Sequence, residues 1–267
     1  MSEPNVLSID EGAVRWLTLN RPASLNSFNA ELHGALLGEL DRTAADTTVR
    51  CVVLAAAGRA FCAGQDLADP AVAPDPAPGA APKDLGAVVA RFYKPLVERL
   101  RAMPVPVVAA VQGIAAGAGA NLALNCDVVV AGRSASFIQA FAKIGLVPDT
   151  GGTWLLPRLV GRARALGLAM LGDRVAAAEA ERLGLIWSCV EDGALHDTVQ
   201  RLALQLAGMP TAALVATRHA FDAAQGLSLA AALDAEARLQ GTLGHAHDYL
   251  EGVAAFGAKR AARFTDR

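Results

Sequence analysis

The fold is decided by one stretch, Pro106-Val-Val-Ala-Ala-Val-Gln-Gly-Ile-Ala-Ala-Gly-Ala-Gly119, in which an apolar run leads into a turn of small residues. An apolar run bounded by turn residues predicts a buried strand at Val107–Val111, followed by a turn and a helix that ends near Asp127. The same layout occurs earlier, where residues 51–54 lead into another glycine-containing turn. Repetition of this strand–turn–helix unit predicts an α/β architecture.

The sequence on either side supplies the remaining elements. Two short β-branched runs, residues 6–9 and Val14–Leu19, are separated by Asp10-Glu-Gly and predict a hairpin. Asn29 is a capping residue, and the leucines that follow it at helical spacing predict an amphipathic helix. Further strands are expected at residues 128–130, Ser136–Ile138 and 186–190, and helices over residues 85–103 and through most of the chain after Gly151.

Residues 68–84 form a distinct segment that contains five prolines among alanines. This composition predicts a mobile surface loop, because it offers no periodic apolar face that could be buried. The sequence leaves two roles open for this loop, a passive insertion or a lid over a site.

Composition limits the class of protein. The chain has 267 residues, 53% hydrophobic and 19% charged, which suffices for one large domain or one domain with a C-terminal appendage. A net charge of −2 gives no electrostatic footprint for nucleic acid. The most apolar run, residues 105–130, is interrupted by polar residues, and the first five residues lack the pattern of a signal peptide. We therefore expect a cytoplasmic protein with no membrane or nucleic-acid partner.

The four cysteines are far apart and include no C-x-x-C pair. They predict reduced core thiols, so no metal site and no disulfide framework are expected.

Two glycine-containing turns can each offer a free backbone N–H group. In Phe61-Cys-Ala-Gly-Gln-Asp-Leu67, Gly64 lets the chain bend so that the Gln65 amide points out of the sheet. In the opening stretch, Gly117 precedes Ala118 at a helix start, where the first N–H groups lack intrahelical partners. Two amides aimed at one point would hold an anionic oxygen. A close-packing role for the Gly-Ala-Gly run is the alternative, and the sequence leaves both open.

Other catalytic patterns are missing from the sequence. It contains no G-x-S-x-G nucleophile elbow, no G-x-x-x-x-G-K-[ST] phosphate loop and no spaced pair of histidines. The glycines from Gly113 onward lack the acidic residue about 20 positions later that binds a dinucleotide ribose, which argues against NAD. The five histidines are expected to be surface or packing residues.

Asp149 is the one acidic residue between Asp127 and Asp173. It precedes Thr-Gly-Gly, so its side chain can cap a helix that starts at Thr150. The other interpretation is a general base whose pKa is raised by apolar surroundings. The surroundings expected to do this are Phe137, Phe141, Ile144 and Val147.

The motifs together resemble a known family. Asn20-Arg-Pro-x-x-x-Asn26, Gly58-Arg-Ala-Phe-Cys-Ala-Gly-Gln-Asp-Leu67 and the opening stretch are similar in order and spacing to the enoyl-CoA hydratase/isomerase (crotonase) superfamily. One branch, the isomerases that act on the ring epoxide of phenylacetyl-CoA in bacterial phenylacetate degradation, is more similar still. The segments that carry this second resemblance are Arg91-Phe-Tyr-Lys-Pro-Leu-Val97, Gly145-Leu-Val-Pro-Asp-Thr-Gly-Gly-Thr-Trp-Leu-Leu-Pro-Arg158 and Tyr249-Leu-Glu-Gly-Val-Ala-Ala-Phe-Gly-Ala-Lys-Arg260.

The resemblance implies an architecture. Residues 1–200 would form a crotonase-like spiral of ββα repeats, and residues 201–267 a helical C-terminal region that forms a homotrimer, or a dimer of trimers. The amides of Gln65 and Ala118 would form an oxyanion hole for an acyl-CoA thioester, with Asp149 as the acid/base. The implied contacts with substrate and CoA are Ala63, Asp66, Leu67, Gly117, Phe141, Phe256 and Lys259, the last two at the nucleotide end and across a subunit boundary.

The resemblance also favours one of the reactions known in the family over the others. Hydratases of the family use two glutamates, and the corresponding positions here are Asn121 and Phe141, which disfavours simple water addition. Dehalogenases of the family need a histidine and a tryptophan at positions that match Lys94 and Phe141. The sequence therefore predicts an isomerase that needs no metal and no cofactor beyond the CoA of its substrate. A Δ3,Δ2-enoyl-CoA isomerase or hydratase of β-oxidation is the alternative, and a non-catalytic RNA-binding or scaffold protein is a remote one.

Overall fold

A computed structural model describes residues 3–77 and 79–267. Part of the predicted loop over residues 68–84, at Pro78, and the first two residues of the N-terminal prediction lie outside the described residues. The helices and strands follow in order along the chain. They are β1 Val6–Glu11, β2 Val14–Leu19, α1 Ala30–Ala45, β3 Cys51–Ala56, α2 Leu85–Val88, α3 Lys94–Arg101, β4 Val107–Val111, β5 Ile114–Ala116, α4 Ala118–Leu124, β6 Val128–Gly132, β7 Ser136–Ile138, α5 Gly152–Leu171, β8 Arg174–Ala176, α6 Ala177–Leu183, β9 Ser188–Val190, α7 Leu195–Ala207, α8 Thr211–Ala224, α9 Leu229–Leu243 and α10 His247–Gly257.

The central layer is a six-stranded sheet with the order β1-β2-β3-β4-β6-β9. The predicted hairpin β1–β2 is antiparallel, with Val6 opposite Leu19, and every later pair in this sheet is parallel. Parallel strands need helices on their faces, and β4 is buried at every residue. The predicted α/β class is confirmed.

The two faces of this sheet carry separate cores. One face packs against α1, α3 and α4, with side chains such as Leu36, Leu54 and Leu100 buried between the layers. The other face packs against α7, where Val53 and Val108 meet Val199. The predicted cap of α1 is confirmed, since the Asn29 side-chain oxygen accepts the N–H of Leu32 at 2.9 Å.

A second, three-stranded sheet corrects two sequence predictions. It has the order β5-β7-β8, with β5 and β7 parallel and β7 and β8 antiparallel. The segment Ile114–Ala116 was expected to be part of a continuous turn and helix, and Arg174–Ala176 part of a helix. Three residues are too few to show a period of two, and both strands form because a partner strand is available in space.

The C-terminal helices α8, α9 and α10 follow α7. Helix α7 passes through residue 200, so the predicted division between residues 1–200 and 201–267 falls inside a helix that packs on the sheet. Arg218 on α8 fastens this region to the core, because its guanidinium donates to Asp127 and to the carbonyl oxygens of Arg101, Met103 and Val105. Over residues 3–77 and 79–267, no helix is both long and apolar enough to cross a membrane.

The cysteines are free thiols in the described structure. Cys51, Cys62 and Cys126 are buried, and burial raises the pKa of each thiol. These three match the predicted core thiols.

Candidate active site

In the turn that follows β3, the backbone N–H of Gln65 points away from the N–H groups of its neighbours. The N–H of Phe28 donates to the carbonyl oxygen of Gly64 at 2.7 Å, and the N–H of Asp66 donates to the carbonyl oxygen of Phe28 at 2.8 Å. The peptide between Gly64 and Gln65 is trans, since the described backbone has no cis bonds. With its oxygen on Phe28, this peptide directs the Gln65 N–H to the opposite side.

The second turn leaves the amide of Ala118 without a partner. Gly117 has φ +51° and ψ −125°, a conformation open to glycine, and its N–H donates to the Ile138 carbonyl oxygen at 2.8 Å. Helix α4 then begins at Ala118, and its first intrahelical bond runs from the N–H of Asn121 to the carbonyl oxygen of Gly117 at 3.1 Å. The Ala118 N–H therefore lies before the first intrahelical hydrogen bond of α4. No acceptor for it is found in the described part of the chain.

The two turns are in close contact, which explains why glycine is needed in each of them. A Cβ on Gly64 would lie 2.9 Å from the Ala116 carbonyl oxygen and 3.5 Å from the Ala118 nitrogen. A Cβ on Gly119 would lie 2.4 Å from the Cys62 carbonyl oxygen. The Gly-Ala-Gly run is thus a close-packing device, as one interpretation held. Close packing also brings the Gln65 and Ala118 amides to one cavity.

This cavity has a volume of about 460 Å³ and lies where the two turns meet helix α2 and the segment before α5. Seven of the predicted site residues line it, namely Ala63, Gln65, Leu67, Gly117, Ala118, Phe141 and Asp149. Val72 and Pro74 from the predicted loop also line it, so the loop covers part of the cavity. The remaining lining residues are Gly64, Leu85, Val88, Val89, Tyr93, Ala140, Lys143, Ile144 and Leu146.

Three predicted contact residues are not among the lining residues. The carboxylate of Asp66 pairs with Arg21 at 3.1 Å and accepts the N–H of Ala68 at 3.1 Å. Its side chain therefore stabilises the turn, and its contact with CoA stays a prediction. Phe256 lies near the end of α10 with 87% of its surface exposed, and Lys259 follows that helix. Their contact with CoA across a subunit boundary stays a prediction.

Asp149 lies half-buried at the wall of the cavity. Its Oδ1 accepts the hydroxyl of Thr150 at 2.8 Å. Burial raises the pKa of this carboxyl, and the hydrogen bond from Thr150 acts in the opposite direction. A carboxylate in this environment is suited to take up and return a proton.

The helix-capping interpretation of Asp149 is wrong for its side chain. Helix α5 begins at Gly152, not at Thr150, and the residue before it is Gly151, with no side-chain cap. The backbone carbonyl oxygen of Asp149 accepts the N–H of Gly152 at 2.7 Å, and this bond forms a turn. The carboxylate takes no part in it and lines the cavity.

The apolar environment of Asp149 differs in part from the expectation. Phe141 and Ile144 line the cavity as expected, but Phe137 is buried in the core and Val147 is 74% exposed.

Two asparagines, one on α4 and one directly after it, have a structural role that the sequence did not reveal. Asn121 is fully buried, and its side-chain nitrogen donates to the carbonyl oxygen of Asp149 at 2.8 Å. Asn125, one helical turn later, donates to the carbonyl oxygen of Thr150 at 2.9 Å. Their spacing of four in a helix of small residues was the available signal.

Tyr93 is the third residue that sequence reasoning missed. It is buried, and its hydroxyl donates to the side-chain oxygen of Gln65 at 2.7 Å. The Gln65 side-chain nitrogen in turn donates to the Phe28 carbonyl oxygen at 2.9 Å. The side chain of Gln65 is thereby held aside from its own backbone N–H. No short motif connects residues that lie this far apart in sequence.

His33 confirms the expectation of a packing histidine. Its ring is buried 4.3 Å from the ring of Tyr93 and 4.5 Å from that of Phe28, measured between centroids. Burial lowers the pKa of His33 to about 4. The ring is therefore neutral at pH 7.

A group of possible metal ligands lies outside the cavity. Ligand atoms of His247, Asp248 and Asp266 lie within 4.8 Å of one another. The two carboxylates already accept backbone N–H groups, from Thr265 to Asp248 at 2.7 Å and from Asp248 to Asp266 at 2.9 Å. These bonds attach the C-terminal segment to the start of α10.

Comparison with known proteins agrees with the geometry. A model of the family described as enoyl-CoA hydratase/isomerase matches residues 10–267. The chain is 52% identical over 262 residues, 98% of each protein, to the 1,2-epoxyphenylacetyl-CoA isomerase of Escherichia coli (strain K12). It is 36% identical over 251 residues, 94% of each protein, to the 2,3-dehydroadipyl-CoA hydratase of the same organism. The crystal structure of the enoyl-CoA hydratase from Bacillus anthracis matches with a TM-score of 0.90 and 30% identity, covering 98% of this chain and 100% of that one.

Proposed function

The chain belongs to the enoyl-CoA hydratase/isomerase family, whose substrates are CoA thioesters, and we propose that it is an acyl-CoA isomerase with Asp149 as its acid/base. Membership confirms the resemblance drawn from the motifs and the crotonase-like α/β fold. The proposed substrate is the ring-1,2-epoxide of phenylacetyl-CoA, converted to an oxepin-CoA.

The two turns supply the site for the thioester. The Gln65 and Ala118 N–H groups have no partner among the described residues and belong to turns in direct contact. A thioester carbonyl oxygen placed between them would accept both hydrogen bonds, and these bonds strengthen when the oxygen becomes an enolate. Losing one such donor typically costs roughly 10²–10³ in rate.

The observation that carries the proposal is the single carboxylate in the cavity lining. Asp149 is the one carboxylate among its described lining residues, and Lys143 at the exposed edge is the one cation. A single base beside an oxyanion hole supports removal of a proton from the carbon α to the thioester. It does not supply the second carboxylate that water addition uses in the resembling hydratases.

The positions of those hydratase carboxylates support isomerisation. Asn121 is buried and uses its amide to hold the Asp149 backbone, so it cannot take a proton from water. Phe141 presents an apolar ring to the same cavity. The alternative of enoyl-CoA hydration, suggested by the hydratase relative, therefore lacks its proton-transferring groups here.

The proposed reaction conserves every atom of the substrate. The carbon–carbon bond of the ring epoxide opens to give a seven-membered ring that contains the oxygen. Asp149 takes a proton from the carbon between the thioester and the ring, and the electron pair moves to the thioester oxygen as an enolate. The same carboxyl returns a proton to a ring carbon, which shifts the double bond into conjugation with the thioester. A Δ3,Δ2-enoyl-CoA isomerase performs the same proton shift, and no cofactor is required beyond the CoA of the substrate.

The epoxide substrate rests on similarity. At 52% identity over 98% of both chains, the E. coli isomerase named for 1,2-epoxyphenylacetyl-CoA supports a shared acyl group. The apolar cavity walls formed by Val88, Val89 and Phe141 are consistent with a ring.

The expected homotrimer, or dimer of trimers, is part of the proposal. Large apolar side chains are exposed on and beside the C-terminal helices, which supports an assembly through this region. These side chains are Phe221, Leu227, Leu229, Leu233, Tyr249, Leu250, Val253 and Phe256. Light scattering of the purified protein would measure the mass of the assembly.

The test of the reaction is the mass of the product. Purified protein is incubated with the ring-epoxide thioester and, separately, with a β,γ-enoyl-CoA and an α,β-enoyl-CoA. The proposal expects the epoxide to convert without change in mass and the β,γ double bond to move into conjugation. Gain of one water from the α,β-enoyl-CoA, with no conversion of the epoxide, would identify a hydratase instead. No reaction with any of the three would favour a non-catalytic scaffold or RNA-binding protein.

A further inference from the structure

We propose that Thr150 is a positioning residue for the base: its hydroxyl and its left-handed backbone hold the Asp149 carboxylate so that Oδ2 is the oxygen that moves the proton. This inference rests on the proposed function and extends it to a residue that does not touch the substrate.

The hydrogen bond distinguishes the two oxygens of the carboxylate. The Thr150 hydroxyl lies 2.8 Å from Oδ1 and donates to it. In the described structure, Oδ2 receives no side-chain hydrogen bond, and Asp149 lines the cavity. Oδ1 keeps a second lone pair, but the Thr150 hydroxyl already stabilises negative charge on it, so Oδ2 is the more basic of the two acceptors for a substrate proton.

The backbone at Thr150 is unusual for its residue type. Its φ is +52°, in the left-handed region that β-branched residues rarely adopt, and Gly151 follows with φ +79°. Two consecutive left-handed residues reverse the chain between the cavity wall and helix α5. Asp149, immediately before them, lines the cavity.

The surrounding structure enforces this conformation. Thr150 is 4% exposed, and the amide of Asn125 holds its carbonyl oxygen at 2.9 Å. The amide of Asn121 holds the preceding carbonyl oxygen, that of Asp149, at 2.8 Å. Strained residues fixed in this way by their neighbours cluster at sites where geometry is part of the mechanism.

The hydroxyl also adjusts the basicity of Asp149. Burial raises the pKa of this carboxyl, and the Thr150 hydrogen bond lowers it. A base works when ionised, so the rate rises with pH through this pKa and then reaches a plateau. Removing the hydroxyl raises the pKa further, so the acid limb of the profile should move to higher pH.

Three variants separate the hydroxyl from the fold. Thr150→Val keeps the β-branched shape and removes the donor, whereas Thr150→Ser keeps the donor. We expect the Val variant to lose about tenfold or more in kcat with little change in KM, and to shift its acid limb upward. The Ser variant should keep kcat within about threefold and the wild-type acid limb. If the Val variant does not fold by circular dichroism, Thr150→Ala removes the same hydroxyl with a smaller side chain.

The outcomes separate this inference from the proposed function. Asp149→Asn is assayed in parallel on the same thioester. If Asp149→Asn is inactive while the Val or Ala variant matches the Ser variant in kcat and acid limb, Thr150 has no positioning role. If Asp149→Asn retains wild-type turnover, the proposed function itself fails.

Discussion

The side-chain nitrogen of Asn121 lies 2.8 Å from the backbone carbonyl oxygen of Asp149. The side-chain oxygen of Asn121 meanwhile accepts the amide of Gln139 at 2.8 Å, so this buried amide has a partner at each end. The residue that stands where the resemblance gives hydratases a glutamate thus supports the backbone of the residue that carries the cavity's carboxylate. The hydrogen bond therefore joins Asn121, which stands at a hydratase glutamate position, to Asp149, the proposed base of the isomerase.

Asn121→Asp tests that support. The substitution replaces the side-chain nitrogen of Asn121, a donor, with a carboxylate oxygen, an acceptor. Two acceptors, this oxygen and the Asp149 carbonyl oxygen, would then face each other in a buried site. We expect the free energy of unfolding to fall by about 2–3 kcal/mol, measured by urea denaturation, with no hydratase activity gained. Unchanged stability together with a new hydration activity would show that Asn121 does not serve this structural role.

Gly119→Ala tests the contact between the two turns. Its Cβ would lie 2.4 Å from the Cys62 carbonyl oxygen, so either α4 or the first turn must move. We expect a loss of about 1–3 kcal/mol in unfolding free energy and a loss of turnover, because the Ala118 amide moves with the helix. Gly167→Ala is the matched control, since nothing lies within 4 Å of its added Cβ inside α5. The control should keep wild-type turnover and gain about 0.5–1 kcal/mol in stability. Equal effects of the two substitutions would contradict the packing argument.

Tyr93→Phe tests whether the Gln65 side chain must be held. The variant loses the hydroxyl that donates to Gln65 at 2.7 Å, which leaves a half-buried amide oxygen without that partner. We expect a loss of about 1 kcal/mol in unfolding free energy and a lower kcat on the thioester. Tyr249→Phe removes a hydroxyl from a side chain that is 55% exposed, and should change neither quantity. A wild-type kcat in Tyr93→Phe would show that the Gln65 side chain does not affect the oxyanion hole.

His33 predicts how stability responds to acid. Burial holds the pKa of His33 at about 4, below the ordinary histidine pKa of 6.5, so the unfolded chain binds a proton between these values and the native protein does not. The free energy of unfolding should therefore fall as pH decreases from 6.5 to 4, by up to about 3 kcal/mol from this residue. His33→Leu removes this contribution, and urea unfolding of both proteins at several pH values isolates it. A difference between the two proteins that does not vary with pH would contradict the prediction.

The local turns were readable from the sequence because short glycine motifs specify local backbone. Gly64 and Gly117 were expected to expose the Gln65 and Ala118 amides, and the structure brings both residues to one cavity. For Asp149 the sequence leaves a cap and a base open, and the start of α5 at Gly152, without a side-chain cap, excludes the cap.

The side-chain partners were not readable, because they join distant parts of the chain. The ion pair of Asp66 with Arg21, 45 residues earlier, is one example. The side-chain amides of Asn121 and Asn125 donate to backbone oxygens 28 and 25 residues later, which no periodicity indicates. Strands β5 and β8 are similarly specified by their neighbours in space.

The central claim is that Asp149 moves the proton, and turnover of Asp149→Asn tests it most directly. The substitution keeps the size of the side chain and removes its basicity. Asp173→Asn, at an exposed position outside the cavity, is the matched control and should behave as wild type. Conversion of the ring-epoxide thioester is followed by absorbance and by product mass at pH 7, with folding checked by circular dichroism. We expect Asp149→Asn to lose roughly 10²–10⁴ in kcat while the control keeps its activity. Turnover of Asp149→Asn within a few-fold of wild type would contradict it.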